Sequence, residues 1–377
     1  MKSSFLSLAA LAGLTAASWT KNINYRSPSE HHPGLGISLH KVNKRNTPEK
    51  RFDASQLNFT HGVASGDPYA DSVILWTRVS PMYDSVDDNS TVRGYVPLYN
   101  HGPKQVSTAP VCVEFRVSES EDLSDAACSG RAYTSSDIDY TVKVEANGLK
   151  PFTQYYYQFS VCDSDKASPV GKTKTAPGKD DHAAQIGLAV YSCANYPFGF
   201  FNAYGNPARK GSVDYIVFLG DYTYEYAGDG DYGYGWSIDR IPQPERVTFT
   251  LYDYRERLAT YRSDLDLQLS HATFPWIPVW DDHEVADNVY RDGMAELNNT
   301  EASFVADGGV SVDQRKMNAV RAYFEWMPIR QVSRRPRTPP VFPPAIFQGH
   351  PLITFQRSKW TTTFAFGAPS RSARSST

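Results

Sequence analysis

The hydrophobic pattern of the chain changes character near its middle. Between residues 111 and 161 apolar and polar side chains alternate, as in VCVEFRVS (111–118) and TQYYYQFSV (153–161). A period of two puts every second side chain on one face, so these segments predict strands with one buried side. SVILWTRV (72–79) is β-branched and aromatic, lies between Gly66-Asp67-Pro68 and Pro81, and predicts another strand. Short strands set apart by turn residues predict an antiparallel β-sandwich. GKTKTAPGKDD (171–181) carries the last strand into a polar linker, which puts a domain boundary near residue 180.

Beyond that boundary the alternation stops. QIGLAVYSC (185–193), VDYIVFLGD (213–221) and WIPVWDDHE (276–284) are near-continuous apolar runs. They predict strands buried on both faces of a parallel or mixed sheet. Between the second and third runs, Leu251, Tyr254, Leu258, Tyr261, Leu265 and Leu269 recur at three- and four-residue intervals and form one helical stripe. Strand, crossover helix and strand make a βαβ unit. The expected fold class is therefore α+β in two domains, a β-sandwich over residues 56–180 and an α/β domain over 181–333.

Composition narrows the partners. With 377 residues, 41% hydrophobic and 21% charged, the chain has the balance of a globular protein, and its net charge of −3 gives no broad basic face for nucleic acid. MKSSFLSLAALAGLTAASWT joins Lys2 to an apolar stretch and then to small residues around Ala16, Ala17 and Ser18, the layout of a secretory signal peptide over residues 1–18. No later stretch is long and apolar enough for a transmembrane anchor, so the mature protein is expected to be soluble and secreted. Residues 19–55, with RSPSEHHPG and KVNKRNTPEKR, lack an apolar period and are expected to be a disordered lead-in. In a eukaryotic exported protein Asn58, Asn89 and Asn298 would accept glycans, since each opens an N-x-S/T tripeptide. Two of Cys112, Cys128 and Cys162 are expected to pair, and the sequence leaves open which two.

Each of the three buried runs ends in a side chain able to hold a metal: Cys193, then Asp221, then Asp281 and Asp282 followed by His283. Ligands of open α/β sheets collect beyond the carboxyl ends of the strands, so these ends are expected to meet in one crevice. In GDYTY a loop turning away from Asp221 would return Tyr224 to the same ion. A carboxylate and a phenolate suit a hard trivalent cation such as iron, while a Cys193 thiolate suits iron or zinc, and ligand type leaves that choice open. Aspartate oxygens from WDDHE would hold a second, harder ion such as calcium or another divalent metal. Singly, these residues read as a buried thiol, a turn aspartate and a tyrosine-rich surface. Their placement at consecutive strand ends favours a shared metal site.

THGVASGDPYADSVILWTRV, SCANYPFGFFNAY, FLGDYTYEY, YRERLATYRSDLDLQLSHATFPWIPVWDDHEVADN and MNAVRAYFEWMP together resemble the PhoD-type alkaline phosphatase/phosphodiesterase family, in order, from about residue 58 to about residue 330. That family belongs to the metallophosphoesterases and is related to the purple acid phosphatases. The resemblance implies an N-terminal β-sandwich followed by a calcineurin-like metallophosphoesterase domain with ferric iron (Fe3+) and calcium (Ca2+). GLKPFTQYYYQF also resembles the tyrosine corner of immunoglobulin-like and fibronectin type III domains. Carried over by position, Asp221 would bridge the metals, Tyr224 and Cys193 would hold the ferric ion, and Asp281 or Asp282 would serve the other side. Asn195 would orient substrate or water, and His283 would stabilise or protonate the leaving alkoxide. The implied reaction is hydrolysis of phosphate mono- or diesters by metal-bound hydroxide, in a secreted or cell-wall-associated enzyme.

After MNAVRAYFEWMPIR the chain departs from the family pattern, which continues with further strands and a late Asp- and His-bearing motif. Residues 334–377 are instead rich in Pro, Arg, Ser and Thr and read as a disordered, atypical tail, leaving the metallophosphoesterase domain incomplete. His350 in this tail is no replacement for the missing motif. The competing expectation is a catalytically inactive secreted fragment whose β-sandwich is a binding module. Oligomeric state is not encoded in any pattern found.

Overall fold

A computed structural model describes residues 18–29, 33–45, 52–81, 109–179, 181, 183, 185–227, 233–290, 293–294, 297–298, 300–306 and 308–331. The signal-peptide assignment, except Ser18, the Asn89 tripeptide and the atypical tail fall outside these residues.

In chain order, a short helix α1 (Leu39–Arg45) precedes β1 (Leu57–Asn58), β2 (Val63–Gly66), β3 (Ser72–Arg78), β4 (Ser80–Pro81), β5 (Val111–Ser118), β6 (Cys128–Thr134), β7 (Thr141–Asn147), β8 (Gln154–Val161) and β9 (Gly171–Lys174). Then come β10 (Leu188–Tyr191), α2 (Asn202–Lys210), β11 (Tyr215–Phe218), α3 (Leu251–Tyr261), α4 (Leu265–Thr273), β12 (Pro275–Pro278), α5 (Glu301–Ala306) and α6 (Val312–Trp326). A four-stranded antiparallel sheet runs β6-β5-β8-β9. A six-stranded mixed sheet runs β10-β11-β12-β2-β3-β7 and is parallel from β10 to β2 and antiparallel from β2 to β7.

The two sheets pack face to face, as the alternation along β3 dictates. Val73 and Leu75 join the core made with Val113, Val117, Tyr157 and Phe159 of the four-stranded sheet. Trp76 points the other way, into the core of the helical side, where its Nε1 donates to Glu325 O at 2.8 Å. Sandwich packing is therefore present, but a boundary at residue 180 does not separate the sheets. β2 pairs with β12 (Ser65 with Pro275, Gly66 with Trp276), so strands from both halves form one sheet. Gly66 permits this approach: a Cβ there would lie 2.4 Å from Pro328 O and 2.7 Å from Trp276 O.

The structure corrects three further expectations. The lead-in is not without structure over 18–29 and 33–45. Asn22 is fully buried, donates through Nδ2 to Thr141 O at 2.9 Å and Tyr133 O at 3.1 Å, and accepts from Lys143 N at 3.2 Å. Tyr25, Val42 and Ile138 make a small core of their own. The segment thus covers β7, an edge strand whose open backbone groups need partners. The second correction concerns β10, which is not buried on both faces. It is the other edge strand, with Leu188 and Val190 exposed while Ala189 and Tyr191 pack on the core. Third, the single helical stripe is two helices. The side chain of Asp264 caps α4 by accepting from Asp266 N and Leu267 N, which breaks the helix and leaves Leu265 80% exposed.

Cys112 and Cys162 form the disulfide. They sit beside the Val113–Val161 pair of β5 and β8, whereas Cys128 lies at the opposite end of β5, against Val117, and stays free.

Candidate metal centre

The crevice forms where the parallel strands β10, β11 and β12 end, and backbone hydrogen bonds draw their loops together. Leu219 N donates to Tyr191 O (2.8 Å), Cys193 N to Gly220 O (3.1 Å), Ala194 N to Asp221 O (2.8 Å) and Val279 N to Phe218 O (2.9 Å). Cys193 and Asp221 both adopt left-handed backbone, with φ of 58° and 57°. Such angles are strained for residues with a Cβ and cluster at functional sites. Between them Gly220 (φ 107°) has no room for a side chain, since a Cβ would stand 2.6 Å from that of Asp281.

Asp221 is the centre of the arrangement. It is 8% exposed, and its Oδ2 accepts from the Cys193 thiol at 3.4 Å and from the Tyr224 hydroxyl at 3.3 Å. Its Oδ1 is buried with no hydrogen-bond partner. Asp221, Asp282 and His283 each present one ligand atom, all within 4.8 Å of one another. Asp281 is exposed and outside that trio, although burial and the charges of Asp221 and Asp282 push its carboxyl up. Burial, and after it Asp221 and Cys193, likewise raise the Tyr224 phenol well above its ordinary range.

Asp282 accepts from His283 N at 3.1 Å and Asn288 N at 2.5 Å, which fixes its carboxylate. His283 Nδ1 lies 2.9 Å from Glu225 Oε2, and its ring packs 4.2 Å from that of Tyr224. Burial opposes a charge on His283, but Glu225, Asp221 and Asp282 outweigh it and raise the imidazole to about 9. Asn195 has a buried Oδ1 without a partner and lines a recess with Tyr224, Tyr226, Arg257 and Tyr261. The structure thus gathers Cys193, Asp221, Tyr224, Asp282 and His283 at one rim, places Asn195 beside it and leaves Asp281 at its edge. A cavity of about 290 Å³ lies elsewhere, between the lead-in and α6. The carboxylates, not volume, locate the site.

Several supporting residues were not singled out from the sequence. Glu225, 3% exposed, holds His283 and accepts from Asp287 N at 2.5 Å. Glu284, also 3% exposed, accepts from Tyr222 N at 2.6 Å and Asp281 N at 2.7 Å, tying the β11 and β12 loops, and burial raises it to about 8. Tyr261 Oη accepts from Tyr196 N and Tyr224 N, both at 3.2 Å, and Arg257 donates to Tyr224 O. Both glutamates lie inside the stretches that carry the candidate ligands, GDYTYE and WDDHE, where an acidic residue beyond those candidates is the available signal.

The donor set fits a cation. Two carboxylates, an imidazole, a thiol and a phenol converge, one carboxylate oxygen is orphaned in the interior, and the negative groups raise their neighbours' pKa values. A bound positive charge would relieve all of these.

Known proteins share this organisation. The model of the PhoD-like phosphatase N-terminal domain matches residues 44–177, and that of the PhoD-like phosphatase matches residues 188–343. Alkaline phosphatase D of Bacillus subtilis (strain 168) is 38% identical over 286 residues, which are 76% of this chain and 43% of that protein. A solved structure of PhoD superposes with a TM-score of 0.59 at 36% identity, over 74% of this chain and 48% of the other. A purple acid phosphatase, PPD1 from yellow lupin, matches at a TM-score of 0.34 and 11% identity over 71% of this chain and 40% of that one, too loosely for anything to rest on it. The chain spans under half the length of the two closer relatives. With both family models matched in order along it, the chain belongs to the PhoD-like phosphatase family.

Proposed function

We propose that this chain is a metal-dependent phosphoric ester hydrolase, a phosphatase or phosphodiesterase. The observation that carries the reading is the interior Asp221 carboxylate, one oxygen orphaned and the other touched by Cys193 and Tyr224, with Asp282 and His283 within ligand reach. In this reading Asp221 would contribute to holding two ions, Cys193 and Tyr224 would hold a ferric ion, and Asp282 or Asp281 would hold calcium or another divalent ion, zinc included. Cations bound there would polarise a phosphoryl oxygen, lower the pKa of water and neutralise charge developing in the transition state.

The protein's own groups supply the rest. His283, held by Glu225, faces the cluster and would give a proton to a leaving alkoxide. Asn195 offers its orphaned amide oxygen to orient water or a substrate hydroxyl. Glu284 keeps the β11 and β12 loops in register, so the ligands stay within their working distance.

The four-stranded sheet and its partners form an immunoglobulin- or fibronectin III-like sandwich in this reading. The chain is exported, carries glycans at exposed positions such as Asn298, and remains free or bound to the cell wall. The exposed apolar face of β10 favours a second reading, an inactive fragment that acts as a binding module. One experiment separates the two. Purified chain is assayed for iron, calcium and zinc by mass spectrometry, and for hydrolysis of p-nitrophenyl phosphate and bis-p-nitrophenyl phosphate. Bound metal with turnover supports the hydrolase, while folded, metal-free protein that hydrolyses neither ester even after iron and calcium are added rejects it.

A further inference from the structure

Buried polar atoms find hydrogen-bond partners, and where the protein supplies none something else occupies the place. Beneath the corner between α3 and α4, Arg262 is 1% exposed, and none of its Nε, Nη1 and Nη2 has a partner at full hydrogen-bond geometry among the described residues, the Tyr222 hydroxyl interacting with it only loosely. Its guanidinium carbon stands 4.4 Å from the centroid of the Trp76 ring. Among the described residues no carboxylate pairs with it, and the titratable groups that act on it are the phenols of Tyr222 and Tyr157. Other buried polar atoms share its surroundings: the Ser65 and Tyr157 hydroxyls, which interact loosely with each other, and His61 Nε2 and His271 Nδ1, which have no partner among the described residues, all on residues no more than 1% exposed. Burial first, then the charges of Arg78 and Arg262 for His61 and of Arg262 for His271, holds both histidines neutral.

An unpaired guanidinium in a protein interior is among the most unfavourable arrangements a fold can carry. Stacking on Trp76 offsets part of it. Water would meet the hydrogen bonds but leave the charge alone, whereas an anion meets both needs. The groups present are rich in donors: the guanidinium edges, two hydroxyls, and two neutral imidazoles whose free nitrogen can carry the proton. That set excludes a metal cation, and the enclosure excludes a large organic acid. We infer that Arg262 holds a small monovalent anion, of the halide class, in the interior between β2, β8 and the α3–α4 corner. The anion joins the two sheets through Ser65 and Tyr157 and reaches the β11 loop through Tyr222, the neighbour of Asp221. It is independent of the hydrolase reading.

Crystals of the full chain soaked in sodium bromide, measured at the bromine absorption edge, are expected to show an anomalous peak at hydrogen-bond distance from the Arg262 guanidinium. At fixed ionic strength the unfolding midpoint should stand roughly 2 °C or more higher in sodium chloride or bromide than in sodium gluconate, whose anion is too large to be enclosed. Arg262→Met should erase that difference. If this variant does not fold, the unaltered chain decides: a bromide peak upholds the anion, and ordered water alone in its place overturns it.

Discussion

The sandwich core and the strand-end crevice obey opposite rules within one molecule. In the sandwich, apolar side chains alternate with polar ones, and Val73, Leu75, Val117 and Phe159 are sealed from water with nothing charged among them. At the crevice, two candidate ligand positions carry left-handed backbone, carboxylates crowd together and a carboxylate oxygen has no partner among the described residues. The first region gains stability from fit. The second sets stability aside to hold acidic groups together, a departure from local rules of the kind functional sites carry.

That contrast can be tested by four substitutions, in falling order of effect. Asp221→Asn should lower hydrolysis by about 10³-fold or more, equivalent to roughly 4 kcal/mol in the barrier, with loss of bound metal. The metal-free protein should meanwhile unfold at the same or a higher temperature, since one of two crowded carboxylates has gone. A marked drop in that midpoint would mean that Asp221 is structural. Leu75→Ala should do the reverse, removing about 2–5 kcal/mol of stability by denaturant titration while metal content per folded molecule stays unchanged.

Glu225→Gln should reduce turnover by about tenfold to a hundredfold and leave metal content intact. It also bears on pH. His283 is raised from its ordinary 6.5 to about 9 and Glu284 from 4.5 to about 8, so the folded metal-free chain holds both protons more tightly than the unfolded chain. The contribution of His283 is whole below pH 6.5 and is lost as the pH rises through 9, and that of Glu284 is lost between 4.5 and 8. These two groups make the melting midpoint of the metal-free protein fall with rising pH, against the opposite pull of the buried Lys143, His61 and His271, so the parent and variant profiles are compared with each other. The Gln variant should flatten the upper part of that fall, and an unchanged slope would rule out the Glu225–His283 contact. Asn22→Ala should have the smallest effect, about 1–3 kcal/mol, by leaving Thr141 O and Lys143 N at the β7 edge without their partner.

What the sequence revealed follows the same division. β5 and β8 were legible because period two is a local property of consecutive residues, and the ends of β10, β11 and β12 because an apolar run stopping at a ligand needs no knowledge of its neighbours. The pairing of β2 with β12 was not legible, since it joins residues more than 200 positions apart and depends on a glycine that reads as turn punctuation. The lead-in was missed because its order comes from asparagine side chains bonding to an edge strand, which leaves no apolar period. Leu265 misled for the opposite reason: it kept the helical spacing while Asp264 ended one helix and began another. Glu225, Glu284 and Tyr261 are defined by what they touch across loops, and only the fold supplies their partners.

The shared sheet also limits how this gene can be divided. An expression plasmid stopping near codon 180 would encode β3 and β7 without the neighbour that β12 provides for β2, and its complement would expose the same seam from the other side. Each half is therefore expected to lose stability along that seam, and domain swaps between relatives are expected to do best when both sides of it come from one parent.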